Sequence, residues 1–272
     1  PPVIAKRAST AGGPFAHVRG IGDPLIYAEG SWMHLWYSSY TLGGEAGSSL
    51  NVTTSTDGGA NWSKPRKLQT SPLANLSTRT YGAPLPLADG GIALPLSHDF
   101  IARHGEWLRL SADGRVVEKS RMPQETASLQ PSAAAIGERS ALALLRDASP
   151  TAGKVRVATT EDGGVSWSAD APLPIDNPDS PVALARLKSG RLLLAGNPPP
   201  GREALRLWIS ADQGKTWQAS RSIEAAADGA ADFSNPALLL GRDGRIHLAY
   251  TWRGQDIKHV AFSEAWLDGD QP

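Results

Sequence analysis

Cysteine is missing altogether from these 272 residues, so disulfides, thiol nucleophiles and thiolate metal centres are excluded. Export does not require disulfides, which leaves the compartment open. An excess of either charge is missing too, with 27 basic residues against 27 acidic ones. No strong field draws the chain to nucleic acid or to an anionic membrane, and neither is expected as a partner. No apolar run reaches the roughly 18–20 residues that a membrane-spanning helix needs. Low-complexity tracts, interdomain linkers, a Gly-rich phosphate loop and a Gly-x-Ser-x-Gly elbow are all absent. His17, His34, His104, His247 and His259 show no metal-ligand spacing. Neither metal nor cofactor is expected, with a cation held by loop carbonyls left open. Helix signals are scarce, one short turn being expected over 224–231. The chain opens on Pro1-Pro2 without an initiator Met or a leader peptide. A processed or excised piece of a longer polypeptide is expected from that start.

What is abundant is punctuation. Twenty-eight Gly, 21 Pro and nine Trp suit many short strands joined by tight turns. One eight-residue pattern occurs three times, at 55–62 (Ser55 to Trp62), 160–167 (Thr160 to Trp167) and 210–217 (Ser210 to Trp217). Its form is hydroxyl-x-Asp-x-Gly-x-(Asn/Ser/Thr)-Trp. A cousin at Ser111-Ala112-Asp113-Gly114-Arg115 lacks the Trp. In such a turn the Asp carboxylate accepts exposed backbone N–H groups, and Gly takes positive φ without steric cost. The Trp is expected to fold into the apolar layer beneath, an anchor whose removal costs about 3–5 kcal/mol.

A longer repeat underlies the first. Five X-Pro steps, at Asp23-Pro24, Ala83-Pro84, Gln130-Pro131, Ser180-Pro181 and Asn235-Pro236, each open an apolar run. A turn and a second apolar run follow, as in Asp243-Gly244 and then Ile246 to Tyr250. The prolines lie about 47–60 residues apart, a period that fits four-stranded propeller blades. Proline is tolerated at the first residue of a strand, and continuous apolar runs fit inner strands covered on both faces. The last repeat shows three strands, and residues 3–7 are a candidate fourth. A single domain over 1–272 is expected.

The eight-residue pattern is the Asp box, or bacterial neuraminidase repeat, and the chain resembles the sialidase-like β-propellers that carry it. Over nearly its whole length it is similar to a bacterial subgroup of predicted neuraminidases. Matching phrases include Leu94-Pro95-Leu96-Ser97-His98-Asp99-Phe100, Asn177-Pro178-Asp179-Ser180 and the run from Ile257 to Leu267. The resemblance implies an all-β propeller with five blade repeats in this chain. That is either a six-bladed fold with most of the first blade missing or a five-bladed ring. It also implies a bacterial periplasmic or secreted location.

Blade topology places the Asp boxes at one end of each sheet and a ligand pocket at the other. Residues just before each X-Pro, just after the second strand and just before the third would line it. Candidate substrate-binding residues there are Arg146, Arg202, Arg79, Tyr81, His98, Gln130, Asn177, Phe233 and Asn235, with Asp23, Asp99 and Asp179 as candidate catalytic carboxylates. Arginine suits an acidic sugar because its planar fork matches a carboxylate bidentately. The resemblance implies that Arg146 and Arg202 are two of the family's three carboxylate-clamping arginines. The first arginine and the acid/base Asp would belong to the blade preceding this chain. It also aligns Phe233 with the family's Tyr nucleophile and Gln130 with the Glu that activates it. Neither side chain can perform that step, since one lacks the phenol and the other is an amide.

Bland roles stand beside these. Arg146 and Arg202 can pair with carboxylates such as Asp147 and Glu203, Asp23 and Asp179 can cap strands, and His98 can be structural. Three functions therefore stand open: an exo-glycosidase acting on an acidic sugar, a propeller that binds acidic glycans without cleaving them, and a scaffold within a longer polypeptide.

Overall fold

The structure, a computed structural model, describes residues 18–71, 75–150, 153–226 and 231–269. The candidate strand at 3–7 lies outside them. The chain divides into two compact units, Pro1–Arg121 and Met122–Pro272.

In the first unit, β1 (Gly20–Glu29), β2 (Trp32–Thr41), β3 (Gly44–Ser55) and β4 (Arg66–Lys67) form one antiparallel sheet in sequence order. The next sheet holds β5 (Arg79–Thr80), β6 (Leu85–Pro86), β7 (Ile92–Asp99), β8 (Arg103–Leu110) and β9 (Val116–Met122). Here β5 and β6 both pair with β7, so the inner strand is broken around Ala83-Pro84. Proline has no N–H for the ladder, which accounts for the break. Trp36 and Val52 of the first sheet pack on Leu94, Leu96, Leu108 and Leu110 of the second.

The second unit repeats this plan. The strands β10 (Ser128–Ala135), β11 (Ala141–Asp147), β13 (Arg156–Thr160) and β14 (Ser168–Asp170) make one sheet, with the short pair β12 (Gly153–Lys154) and β15 (Asp176–Asn177) beside it. Next come β16 (Ala183–Arg186), β17 (Leu192–Gly196), β18 (Ala204–Ser210) and β19 (Gln218–Ala225), and then β20 (Phe233–Leu240), β21 (Ile246–Trp252) and β22 (Asp256–Phe262). Residues 224 and 225 thus end a strand; of the helical turn expected over 224–231, residues 227–230 lie outside those described. A four-residue helix not foreseen from the sequence, α1 (Glu264–Leu267), is capped by Ser263, whose Oγ accepts from Trp266 N.

Period-2 geometry explains the continuous apolar runs. In β17, Leu192 and Leu194 enter the layer shared with β11 and β13. Leu193 and Ala195 enter the opposite layer, with Phe233, Leu248 and Tyr250. Every residue of this strand is buried.

The Asp boxes join third to fourth strands, as expected. Ser55, Thr160 and Ser210 end β3, β13 and β18, and the fourth strands follow each Trp. In the third box Ser210 Oγ donates to Asp212 Oδ1 at 2.8 Å and accepts from Gly214 N at 2.8 Å. Asp212 in turn accepts from Thr216 N at 2.9 Å. The other two boxes repeat these bonds. Burial of the Trp differs from expectation. Trp167 is buried, whereas Trp62 and Trp217 are only half-buried, each donating Nε1–H to a Gly carbonyl of its own box at 3.0 Å.

Candidate functional site

The candidate residues collect at the end of each sheet remote from its box. A local device puts them there. Asp23, Gln130, Asp179 and Asn235 all have positive φ, at 49°, 55°, 51° and 52°. Three of these directly precede a proline, and strand register slips at the same places, between Gly22 and Leu25, Leu129 and Ser132, and Ser234 and Ala237. At those three steps the proline therefore sits in a bulge inside the first strand rather than opening it, whereas Pro84 and Pro181 precede theirs. A bulge removes the ladder bond that proline cannot make and re-aims the side chain before it. Left-handed backbone costs a non-glycine residue roughly 1–2 kcal/mol, so these side chains are held at the sheet end against a local cost.

Two of these positive-φ residues, Gln130 and Asp179, meet at Arg146 in the second unit. Arg146, near the end of β11, donates Nε–H to the Asp179 carboxylate and Nη1–H to Gln130 Oε1 at 2.8 Å. Arg202 donates Nη2–H to the Asp179 backbone carbonyl at 3.3 Å. Both guanidinium groups therefore converge on one residue, whose own side chain is 54% exposed. Asp147 does not hold Arg146; it is buried and binds Arg156 at 2.6 and 2.9 Å. Burial pushes the Asp147 carboxyl up, but Ser149 and Arg156 outweigh it and hold the group below its ordinary value. Arg202 lies 3.8 Å from Asp232, a long and open pairing worth little.

In the first unit Asp23 gathers the equivalent group. Arg79 donates to both carboxylate oxygens at 3.1 and 3.3 Å, and the Tyr40 hydroxyl donates to the same carboxylate. Burial, then the hydrogen bond to Asp23, pushes the Tyr40 phenol up to about 12, so it stays protonated.

The remaining candidates are scattered. Asn177 is buried, and both ends of its amide are engaged by the Ser180 backbone at 2.7 and 3.0 Å. Phe233 is buried in the apolar layer with Leu238 and Leu248. Asn235 is exposed, and its Nδ2–H lies 3.3 Å from Ser234 Oγ and from Thr251 Oγ1. Tyr81 is half-buried, its backbone N–H donating to Pro95 O at 3.2 Å. Asp99 binds Arg103 at 2.9 Å. His98 turns away from it toward Glu106, and burial lowers the imidazole pKa while Glu106 opposes the shift. The sequence places Tyr40 on the same rim as Asp23, but their contact, and the grouping of His98 with His104 and Glu106, depend on strand register.

Five blade sheets among the described residues, three of them carrying an Asp box, make an all-β, sialidase-type propeller. The chain belongs to the BNR repeat-like domain family, which it matches over residues 2–248. Among solved structures it is similar to a Hadza microbial sialidase (17% identity, 91% of this chain and 53% of that one, TM-score 0.75). It is also similar to Trypanosoma rangeli sialidase (14% identity, 97% and 48%, TM-score 0.73). A protein of unknown function from Dyadobacter fermentans aligns at 16% identity over 92% and 82%, with a TM-score of 0.70. The chain spans about half the length of the two sialidases. No curated protein matches it significantly.

Proposed function

We propose that this chain recognises an acidic sugar through Arg146 and Arg202, acting as one propeller domain over 1–272. The observation that carries the reading is the convergence of both guanidinium groups on Asp179. Arg202 has a 3.3 Å bond to the Asp179 carbonyl and a long contact with Asp232 to lose, and Arg146 is oriented by Gln130. Each charge-assisted bond to a ligand carboxylate contributes roughly 1.5–3 kcal/mol. T. rangeli sialidase has been solved in complex with sialic acid, and a sugar acid of that class is the ligand proposed here.

Recognition without covalent cleavage is the form the site favours. Phe233 carries no nucleophile and is buried, and Gln130 accepts from Arg146 and takes no proton at neutral pH. A second reading, an exo-glycosidase with Asp23, Asp99 or Asp179 as its acid or base, draws support from the contact between Tyr40 and Asp23 beside Arg79. Incubation with a fluorogenic aryl sialoside separates the two. Saturable binding with little or no fluorophore release supports recognition alone. Robust turnover abolished by Arg146→Ala supports the glycosidase. Absence of both binding and turnover contradicts the acidic-sugar reading and leaves a scaffold.

A further inference from the structure

Three neighbouring residues of the first unit each carry a buried polar atom without a hydrogen-bond partner: Nδ1 of His98, Nδ1 of His104 and Oε2 of Glu106. Strand register assembles them. His98 on β7 stands directly opposite His104 on β8. Glu106 follows His104 by two residues, so all three side chains project from one face. The imidazoles stack with centroids 4.7 Å apart. His98 Nδ1 lies 3.9 Å, and His104 Nε2 3.5 Å, from Glu106 Oε1. One potential ligand atom from each residue falls within 4.8 Å of the other two. Glu106 is 5% exposed.

Orphaned buried atoms are costly, and a cluster of them calls for a species that satisfies several at once. Two imidazole nitrogens and one carboxylate are a donor set of three-ligand zinc sites, with metal–ligand distances of about 2.0–2.2 Å. Ligand atoms on one tetrahedral ion then stand roughly 3.3 Å apart, so the separations of 3.9 and 3.5 Å need to close by about 0.6 Å or less and the third, within 4.8 Å, by up to about 1.5 Å. Calcium and magnesium prefer all-oxygen shells, which this donor set does not supply. One charge opposes an ion directly: Lys119 Nζ lies 3.0 Å from Glu106 Oε1, and Arg121 adds positive charge near His98. Lys119 occupies Oε1, the same oxygen that both imidazoles face, so an ion takes that oxygen only in its place.

We propose that His98, His104 and Glu106 form a site for one divalent transition-metal ion of the zinc class, with Lys119 as the resident competitor for the carboxylate. The ion clamps the hairpin of β7 and β8. Binding requires the stacked rings to open slightly and the lysine to turn toward solvent. The site shares no residue with the arginine cluster.

The test is titration of the chelator-treated full chain with Co²⁺ and Zn²⁺, following visible absorption and binding heat. One equivalent is expected, with the cobalt absorption displaced by zinc. His104→Ala and Glu106→Gln each weaken uptake by at least about tenfold. Lys119→Met keeps all three ligands and removes the competing ammonium, so it binds about tenfold more tightly. Circular dichroism of each variant separates lost ligands from lost fold. Uptake that survives His104→Ala in a folded protein overturns the proposal. So does a lack of uptake by both the unaltered chain and Lys119→Met.

Discussion

At Asp212 the carboxylate accepts from the Thr216 hydroxyl and backbone N–H at 2.6 and 2.9 Å and from Ser210 Oγ at 2.8 Å. Those bonds, with Thr216 foremost, hold its pKa down to about 2, against an ordinary value of 3.8. Asn61 does the same for Asp57, and Ser166 for Asp162. Because the folded-state value lies below the unfolded one, the stabilisation is present above about pH 3.8 and is lost as the pH falls toward about 2. Asp212→Asn is therefore expected to lower the melting temperature at pH 6, and the gap from the unaltered chain should shrink over that acid window. Melting curves recorded between pH 6 and 2 check this; a gap constant down to pH 2 contradicts it. These residues were legible in the sequence because every bond spans two to four positions. The first hydroxyl of the pattern was visible only as a recurrence; the structure assigns it two bonds at once. Arg146 was legible as a rim arginine, but its partner was not. Asp179 lies 33 positions away, and no local rule prefers it to the adjacent Asp147.

Among the elements, β17 shows how much strand character survives in sequence. Its run of Leu192-Leu193-Leu194-Ala195 is apolar at every position because sheets cover both faces. Leu193→Ala should cost about 2–5 kcal/mol, as for other buried leucines. Leu239→Ala on β20, a leucine 62% exposed, should stay within about 0.5 kcal/mol. Chemical denaturation of the two variants tests the pair; equal losses would refute the layer assignment. The bulges were less legible. An X-Pro dipeptide marks a strand position, but whether proline opens the strand or sits in a bulge depends on the pairing of the neighbouring strand. The His98–His104 opposition was hidden for the same reason, since five residues of hairpin separate the rings in sequence and none in space.

At the scale of the whole molecule, composition, the 47–60-residue period and three Asp boxes pointed to an all-β propeller, and the family match over residues 2–248 agrees. Identities of 14–17% to the sialidases carry the fold and leave chemistry to the residues present. Those residues are two arginines aimed at one exposed aspartate, with Gln130 bound to one of them and Phe233 buried. Acidic-sugar recognition as proposed requires those arginines to accept a ligand carboxylate. Isothermal titration with N-acetylneuraminic acid and its methyl ester tests this most directly, using the unaltered chain, Arg146→Ala and Asp179→Asn. The acid should bind saturably and the neutral ester should not. Arg146→Ala should weaken binding by roughly 10–150-fold, the equivalent of about 1.5–3 kcal/mol. Asp179→Asn, which removes a competing negative charge but keeps an acceptor for Arg146, should strengthen it several-fold. Equal affinity for acid and ester, or binding untouched by Arg146→Ala, would contradict the account.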